Sequence, residues 1–146
     1  MLTVIGIDPG PVSGLARLTY REKTLTRVDA LQCTAALLPE LFERLAWEDA
    51  VVAVEQFVVG RGSMRAGHDG AVTRDLIGAL QQIAPLAYLR TASEVKPWAS
   101  DLRMAAAGLL EPTKQLRHAR DAARHALFAA VADCGIPDPL SRKARS

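Results

Sequence analysis

Three carboxylates and one imidazole stand where folding alone does not call for them. Asp8 closes the apolar run at residues 2–7 (Leu-Thr-Val-Ile-Gly-Ile) and is followed at once by Pro9-Gly10. Glu55 closes a second run, Ala-Val-Val-Ala-Val, at residues 50–54. A carboxylate at the end of a buried strand is costly unless it is paired, hydrogen-bonded or bound to a cation. Taken singly, Asp8 is explained as a turn aspartate accepting backbone N–H groups, and Glu55 as a solvated strand end. Two such endings on two buried strands favour one shared site. His118 and Asp121 are three residues apart in a helical stretch and so share a face. His125 prolongs that stripe and reads as a satisfied, half-buried histidine. Beside it runs a stripe of Ala119, Ala122, Ala123 and Ala126, small enough for close packing on a sheet.

Oxygen-rich donors of this kind suit Mg²⁺ or Mn²⁺. Two such ions about 3.5–4 Å apart activate water and stabilise the leaving oxygen in phosphodiester cleavage. Basic residues supply the matching surface. The stretch 58–70 has glycines at 60, 62, 67 and 70 with Arg61, Arg65 and His68, and reads as a flexible basic loop leaving the strand that ends at Glu55. Lys114, Arg117, Arg120 and Arg124 enrich the last helical stretch, the three arginines forming a ridge next to His118 and Asp121. A phosphate backbone running between loop and ridge is the expectation; the alternative is a solvated face pairing with nearby acids. Net charge is +2 over 146 residues, divided unevenly. Residues 1–60 hold five Lys/Arg against eight Asp/Glu, and residues 61–146 hold thirteen against eight.

The elements that must carry these groups follow from pattern. Residues 2–8 form a buried strand closed by a turn. Residues 14–20 and 24–31 read as a hairpin joined by Arg21-Glu22-Lys23. Thr34 caps a helix running to about Trp47, with Pro39 tolerated in its first turns. Residues 50–55 are a strand covered on both faces, 71–84 a helix ended by Pro85, and 86–90 a short strand. A short helix over 100–107 precedes the final helix, which starts at Thr113, runs to about Asp133 and stops at Gly135. If the strands ending at Asp8 and Glu55 are parallel neighbours, both acids emerge at one sheet edge. The order β-β-β-α-β-α-β-α predicts a mixed sheet with helices on its faces. Residues 136–146 read as a basic tail after one domain at 1–135.

Composition narrows the class. With 49% hydrophobic and 23% charged residues, the chain is neither disordered nor fibrous. Two cysteines, Cys33 and Cys134, are too few for a disulfide framework, so a reducing cytoplasm is the expected compartment. The apolar runs fall far short of the ~20 residues of a membrane span.

The segments Gly6-Ile7-Asp8-Pro9-Gly10, Val54-Glu55-Gln56 and His118-Ala119-Arg120-Asp121-Ala122 resemble the signature of RuvC-type Holliday-junction resolvases. The resemblance spans about residues 3–132 in the family's element order. It implies an RNase H-like α/β fold with a five-stranded mixed sheet of order 3-2-1-4-5. It also implies that Asp8, Glu55, His118 and Asp121 hold two divalent ions, and that Lys96, in Val95-Lys96, resembles the family lysine near the site. A second basic family position before the last helix has no clear counterpart; Arg103 and Lys114 are both available. The short stretch between Glu55 and the last helix gives a compactness closer to phage-encoded members than to bacterial ones.

The expected activity is metal-dependent cleavage of four-way DNA junctions, leaving 5′-phosphate and 3′-hydroxyl ends, by a homodimer that presents two sites. The resemblance puts the dimer interface on the helix at 71–84, whose Leu76, Ile77, Leu80 and Ile83 form an apolar stripe flanked by Ala71 and Gly78. The alternative is that this stripe packs on the sheet. Other readings are a related nuclease for other branched DNA or structured RNA, a non-catalytic nucleic-acid-binding domain, and an actin-like ATP-binding domain. The last needs two domains around its nucleotide and does not require His-x-x-Asp on its final helix.

Overall fold

The computed structural model describes residues 1–45, 47–57 and 67–141. Its elements are β1 (Leu2–Asp8), β2 (Val12–Arg21), β3 (Thr24–Thr34), α1 (Leu38–Arg44), β4 (Ala50–Gln56), α2 (Gly67–Ile83), β5 (Tyr88–Thr91), α3 (Ala92–Val95), α4 (Asp101–Ala106) and α5 (Arg117–Cys134). The five strands form one sheet of order β3-β2-β1-β4-β5. β1 pairs antiparallel with β2 and parallel with β4, and β5 extends the sheet parallel to β4. This is the mixed sheet that the element order implies.

Helices cover both faces, because the strand side chains alternate. Val4, Ala16, Leu18, Tyr20 and Ala53 point to a core closed by the alanine stripe and Leu127 of α5, with Met104 and Leu109. Ile5, Ile7, Leu15, Val52 and Val54 point the other way, onto Leu38 and Phe42 of α1 and Leu76, Ile77 and Leu80 of α2. The apolar stripe of α2 is therefore buried inside the protomer. It cannot also serve as a partner-facing stripe, and the sequence argument for a dimer through it falls.

Several boundaries differ from the pattern reading. The β2–β3 hairpin is longer at both open ends, and it turns on Glu22 and Lys23, both with positive φ (50° and 69°). That is the left-handed pair a two-residue hairpin loop needs to match the strand twist. Thr34 makes no side-chain cap; a 3-10 turn at Ala35–Leu37 precedes α1, which ends at Arg44 rather than near Trp47. α2 starts at Gly67, so His68 lies exposed in its first turn rather than in a loop. Arg61 and Arg65 lie outside the described residues. α5 starts at Arg117, four residues later than expected. Thr113 instead turns its hydroxyl onto the Leu109 carbonyl at 2.6 Å, and Gln115 takes a positive φ of 61°. Lys114 is thus on the turn before the helix. Gly135 stops α5 with a φ of 72°, as glycine allows. Beyond it, Ile136 is buried in the core and Asp138 forms a bidentate pair with Arg103 at 2.8 and 2.9 Å, so the first part of the tail is docked on the body. Among the described residues no helix is long and apolar enough to cross a membrane.

Candidate functional site

The approach of α5 to the sheet decides where its polar stripe lands. A Cβ at Gly6 would sit 1.9 Å from the Ala122 carbonyl oxygen, and one at Gly14 would sit 2.0 Å from the His118 carbonyl. Only glycine on β1 and β2 lets the α5 backbone lie this close. The alanines opposite complete the contact. The helix carries no cap of its own; Gln32 of β3 supplies one. Its side-chain oxygen accepts from the backbone N–H of His118 at 2.9 Å and of Ala119 at 3.4 Å. Two of the unpaired donors of the first turn are thereby satisfied, and residue 118 is fixed over the end of β1.

Asp8 and Glu55 end neighbouring parallel strands, with Ile7 paired to Val54. Beyond Asp8 the chain turns sharply. Ser13, fully buried, donates its hydroxyl to the Gly10 carbonyl at 2.8 Å and accepts from the Gly10 N–H at 3.2 Å. Asp8 is itself almost buried. His118 Nδ1 lies 3.1 Å from its Oδ2, and Glu55 is within hydrogen-bonding reach. On the outer side, Lys96 Nζ lies 3.2 Å from Asp121 Oδ2. Asp8, Glu55, His118, Asp121 and Lys96 thus form one constellation contributed by β1, β4, α5 and the end of α3.

Burial, followed by the hydrogen bond and negative charge of Glu55 and the charge of Asp121, pushes the Asp8 carboxyl up to about 9. Burial also lifts Glu55, but the close approach of His125 and Asp8 and the charge of Lys96 outweigh it, and Glu55 is held down to about 2. The raised Asp8 and the lowered Glu55 put the proton of the pair on Asp8. Two like charges this close ionise together only with a cation between them.

That is the test of fit for a divalent ion. The donors are hard carboxylate oxygens plus one imidazole, a set that suits Mg²⁺ or Mn²⁺, and Glu55 Oε1 is buried with no hydrogen-bond partner among the described residues. Among the described residues no three His, Cys, Asp or Glu side chains form a ready cage. Each acid leans on a neighbour instead: Asp8 on His118, Glu55 on His125 and Asp121 on Lys96. The donor set fits; the protons and basic side chains now on it are what a cation would displace.

The arginine ridge is not a free basic face. Arg120 donates to Thr113 Oγ1 at 3.2 Å and to the Leu110 carbonyl at 3.4 Å. Arg124 donates to the Ala99 carbonyl, pairs with Asp101 at 2.6 Å and lies 3.8 Å from Asp121. Both guanidinium groups brace the segments before α5, a consequence of α4 and residues 110–116 folding back over the helix. Lys114 and Arg117 remain exposed. The three arginines still line, with Gln115 and Asp121, a groove of about 330 Å³. Arg103 is committed to Asp138, the Trp98 carbonyl and the Trp98 ring.

Two residues of the site escaped the pattern reading. Gln32 has no signal in a β-strand sequence, because its role depends on a helix 86 residues away. His125, read as a satisfied, half-buried histidine, is fully buried against Glu55, with neither ring nitrogen hydrogen-bonded among the described residues. Its spacing from His118 and Asp121 carried the available signal.

No family model matches the chain, and no curated protein matches it in sequence. Its fold does match solved structures. Thermus thermophilus RuvC is 21% identical in a complex with a Holliday junction substrate, covering 96% of this chain and 100% of that one with a TM-score of 0.62. A second T. thermophilus RuvC structure is 20% identical over 95% of this chain and 100% of that one, with a TM-score of 0.61. The chain therefore has the RNase H-like fold of RuvC, with the sheet order and two helical layers described above.

Proposed function

We propose that this chain is a divalent-cation-dependent endonuclease that cuts branched DNA, four-way junctions above all, leaving 5′-phosphate and 3′-hydroxyl ends. The observation that carries this reading is the Asp8–Glu55 pair: two acids at the ends of adjacent parallel strands, Asp8 buried and Glu55 half-buried, flanked by His118, Asp121 and Lys96. The likeness in fold to a RuvC solved with a Holliday junction supports the choice of substrate.

Asp8, Glu55, His118 and Asp121 would hold the cations. Two bound ions would supply an activated water and stabilisation of the leaving oxygen. The protein's own groups have separable tasks. His118 orients the Asp8 carboxylate through Nδ1. Lys96, half exposed at the rim, offers a positive charge to the phosphoryl oxygens as negative charge develops there. Lys114 and Arg117 contact the DNA backbone along the groove that Arg120 and Arg124 shape, and Arg61, Arg65 and His68 supply further basic contacts to it. Such contacts are independent of sequence, so affinity falls steeply with salt.

A junction has two equivalent strands to cut, and a two-fold homodimer presents two sites at once. With the stripe of α2 buried, a partner would meet the opposite side of that helix, where Gly78 has open space over it.

The test is cleavage and gel shift on a four-way junction, a fork, a linear duplex and an RNA hairpin, with Mg²⁺, Mn²⁺ or EDTA. Expected are cleavage of the junction only with metal, tighter binding of the junction than of duplex, and loss of cleavage in Asp8→Asn. Cleavage in EDTA, or by Asp8→Asn at the wild-type rate, refutes the mechanism. Equal activity on the hairpin replaces the DNA substrate by RNA. Light scattering with junction bound decides the dimer.

A further inference from the structure

His125 lies seven residues beyond His118 and four beyond Asp121 on α5, yet it does not reach Asp8. Its side chain is 1% exposed, and Nε2 lies 3.4 Å from Glu55 Oε1. That oxygen and both ring nitrogens are buried without a hydrogen-bond partner among the described residues. An imidazole in such a place is not an inert core side chain. Unpaired buried polar atoms are expensive, and an apolar residue would fill the space without that penalty.

The ring can relieve the deficit in one way. With the proton on Nδ1, a donor stays unpaired and the Nε2 lone pair faces a carboxylate oxygen, which repels it. With the proton on Nε2, a small turn of the ring that aims it at Oε1, 3.4 Å away, gives a charge-assisted hydrogen bond that satisfies both Nε2 and Glu55 Oε1. Glu55 also acts on the neighbouring Asp8 carboxyl. Asp8, Glu55 and His125 then form a line that runs from the cleft into the core.

We infer that His125 is a positioning residue: its Nε2–H holds the buried oxygen of Glu55 and so aims the other oxygen of that carboxylate at Asp8. The inference rests on the reading of the Asp8–Glu55 pair as a cation site. Residues that hydrogen-bond a ligating carboxylate set its direction, and their loss typically weakens metal binding about 10–100-fold. His125 touches neither the cation nor the DNA in this role.

Two measurements on the full chain test it. The first is NMR of the histidine ring nitrogens in the wild-type protein and in Glu55→Ala. Expected is an exchange-protected proton on His125 Nε2 whose signal moves in Glu55→Ala; a proton on Nδ1, or an Nε2 signal indifferent to Glu55→Ala, overturns the inference whatever the metal does. The second is Mn²⁺ titration by calorimetry of wild type, His125→Phe and His125→Gln, without DNA. Expected is a Kd about 10–100-fold weaker in His125→Phe with unchanged or higher thermal stability. In His125→Gln, whose amide donates from nearly the same place, part of that affinity returns. Equal Mn²⁺ affinity in wild type and His125→Phe overturns the inference. If His125→Phe does not fold, the smaller His125→Leu takes its place. A wild-type protein that binds no Mn²⁺ while His125 Nε2–H still reports Glu55 fails the nuclease reading and leaves the positioning of Glu55 standing, so the two failures are distinct.

Discussion

Replacing Asp8 by Asn probes the shared proton directly, through folding rather than cleavage. In the metal-free protein Asp8 keeps its proton up to about 9, whereas the unfolded chain releases it near 3.8. Between those values the native state binds one proton more than the unfolded state. Unfolding free energy then falls with rising pH by about 1.36 kcal/mol per unit. The stability contributed by the raised Asp8 is fully present below 3.8 and is lost as pH rises towards about 9. From pH 5 to 8 the full slope removes about 4 kcal/mol. A loss of about half that, ~2 kcal/mol over the same window, is still well resolved. Glu55 has the opposite sign: its lowered value gives stability present above 4.5 and lost as pH falls through about 2, so it adds no slope in this window. Asn at position 8 cannot ionise but can still donate to Glu55. Urea unfolding in EDTA at pH 5, 6, 7 and 8 should therefore show Asp8→Asn gaining stability over wild type with each step. Parallel pH profiles for the two proteins refute the shared proton. Added Mg²⁺ should stabilise wild type more at pH 8 than at pH 6, since the proton must leave, and should act weakly on Asp8→Asn.

The helix seat gives a second expectation: Gly14→Ala drives a methyl group into the His118 carbonyl and should cost about 3 kcal/mol, at the high end for overpacking, measured by chemical denaturation. Gln32→Ala should cost about 1 kcal/mol as a lost cap while lowering junction cleavage by more than the stability change explains, checked by single-turnover rates. Lys96→Ala should leave stability within about 0.5 kcal/mol, as expected of a half-exposed ion pair, yet cut the cleavage rate about 100-fold. In a salt series on the junction, Lys114→Ala with Arg117→Ala should lower the slope of log affinity by about two phosphate contacts. Arg124→Ala should instead reduce stability, because its guanidinium ties α5 to Ala99 and Asp101.

Much of this protein was legible in one dimension. Strands 1 and 4 are short apolar runs ended by acids, and that pattern alone located Asp8 and Glu55. The final helix announced itself by a periodic alanine face, the polar stripe beside it and a terminal glycine. These signals are local: burial on both faces, helical period and left-handed backbone are properties of consecutive residues. Other features depend on what a segment meets. The start of α5 moved because Thr113 found the Leu109 carbonyl, and because a glutamine from β3, not a residue of the helix, capped its first turn. The α2 stripe, equally good for a partner or for a sheet, went to the sheet because Ile5, Ile7 and Val54 needed cover on that side. Arg120 and Arg124 have the spacing of a free ridge, but residues 99–113 fold over it and take their hydrogen bonds. His125 shows the limit most plainly. Its sequence position allows either a bland core residue or a partner for an acid, and the choice rests on a strand end 70 residues away. Sequence determines which groups can do chemistry and which elements carry them. The distance between those groups, here set by two glycines under α5, exists only once the layers have packed.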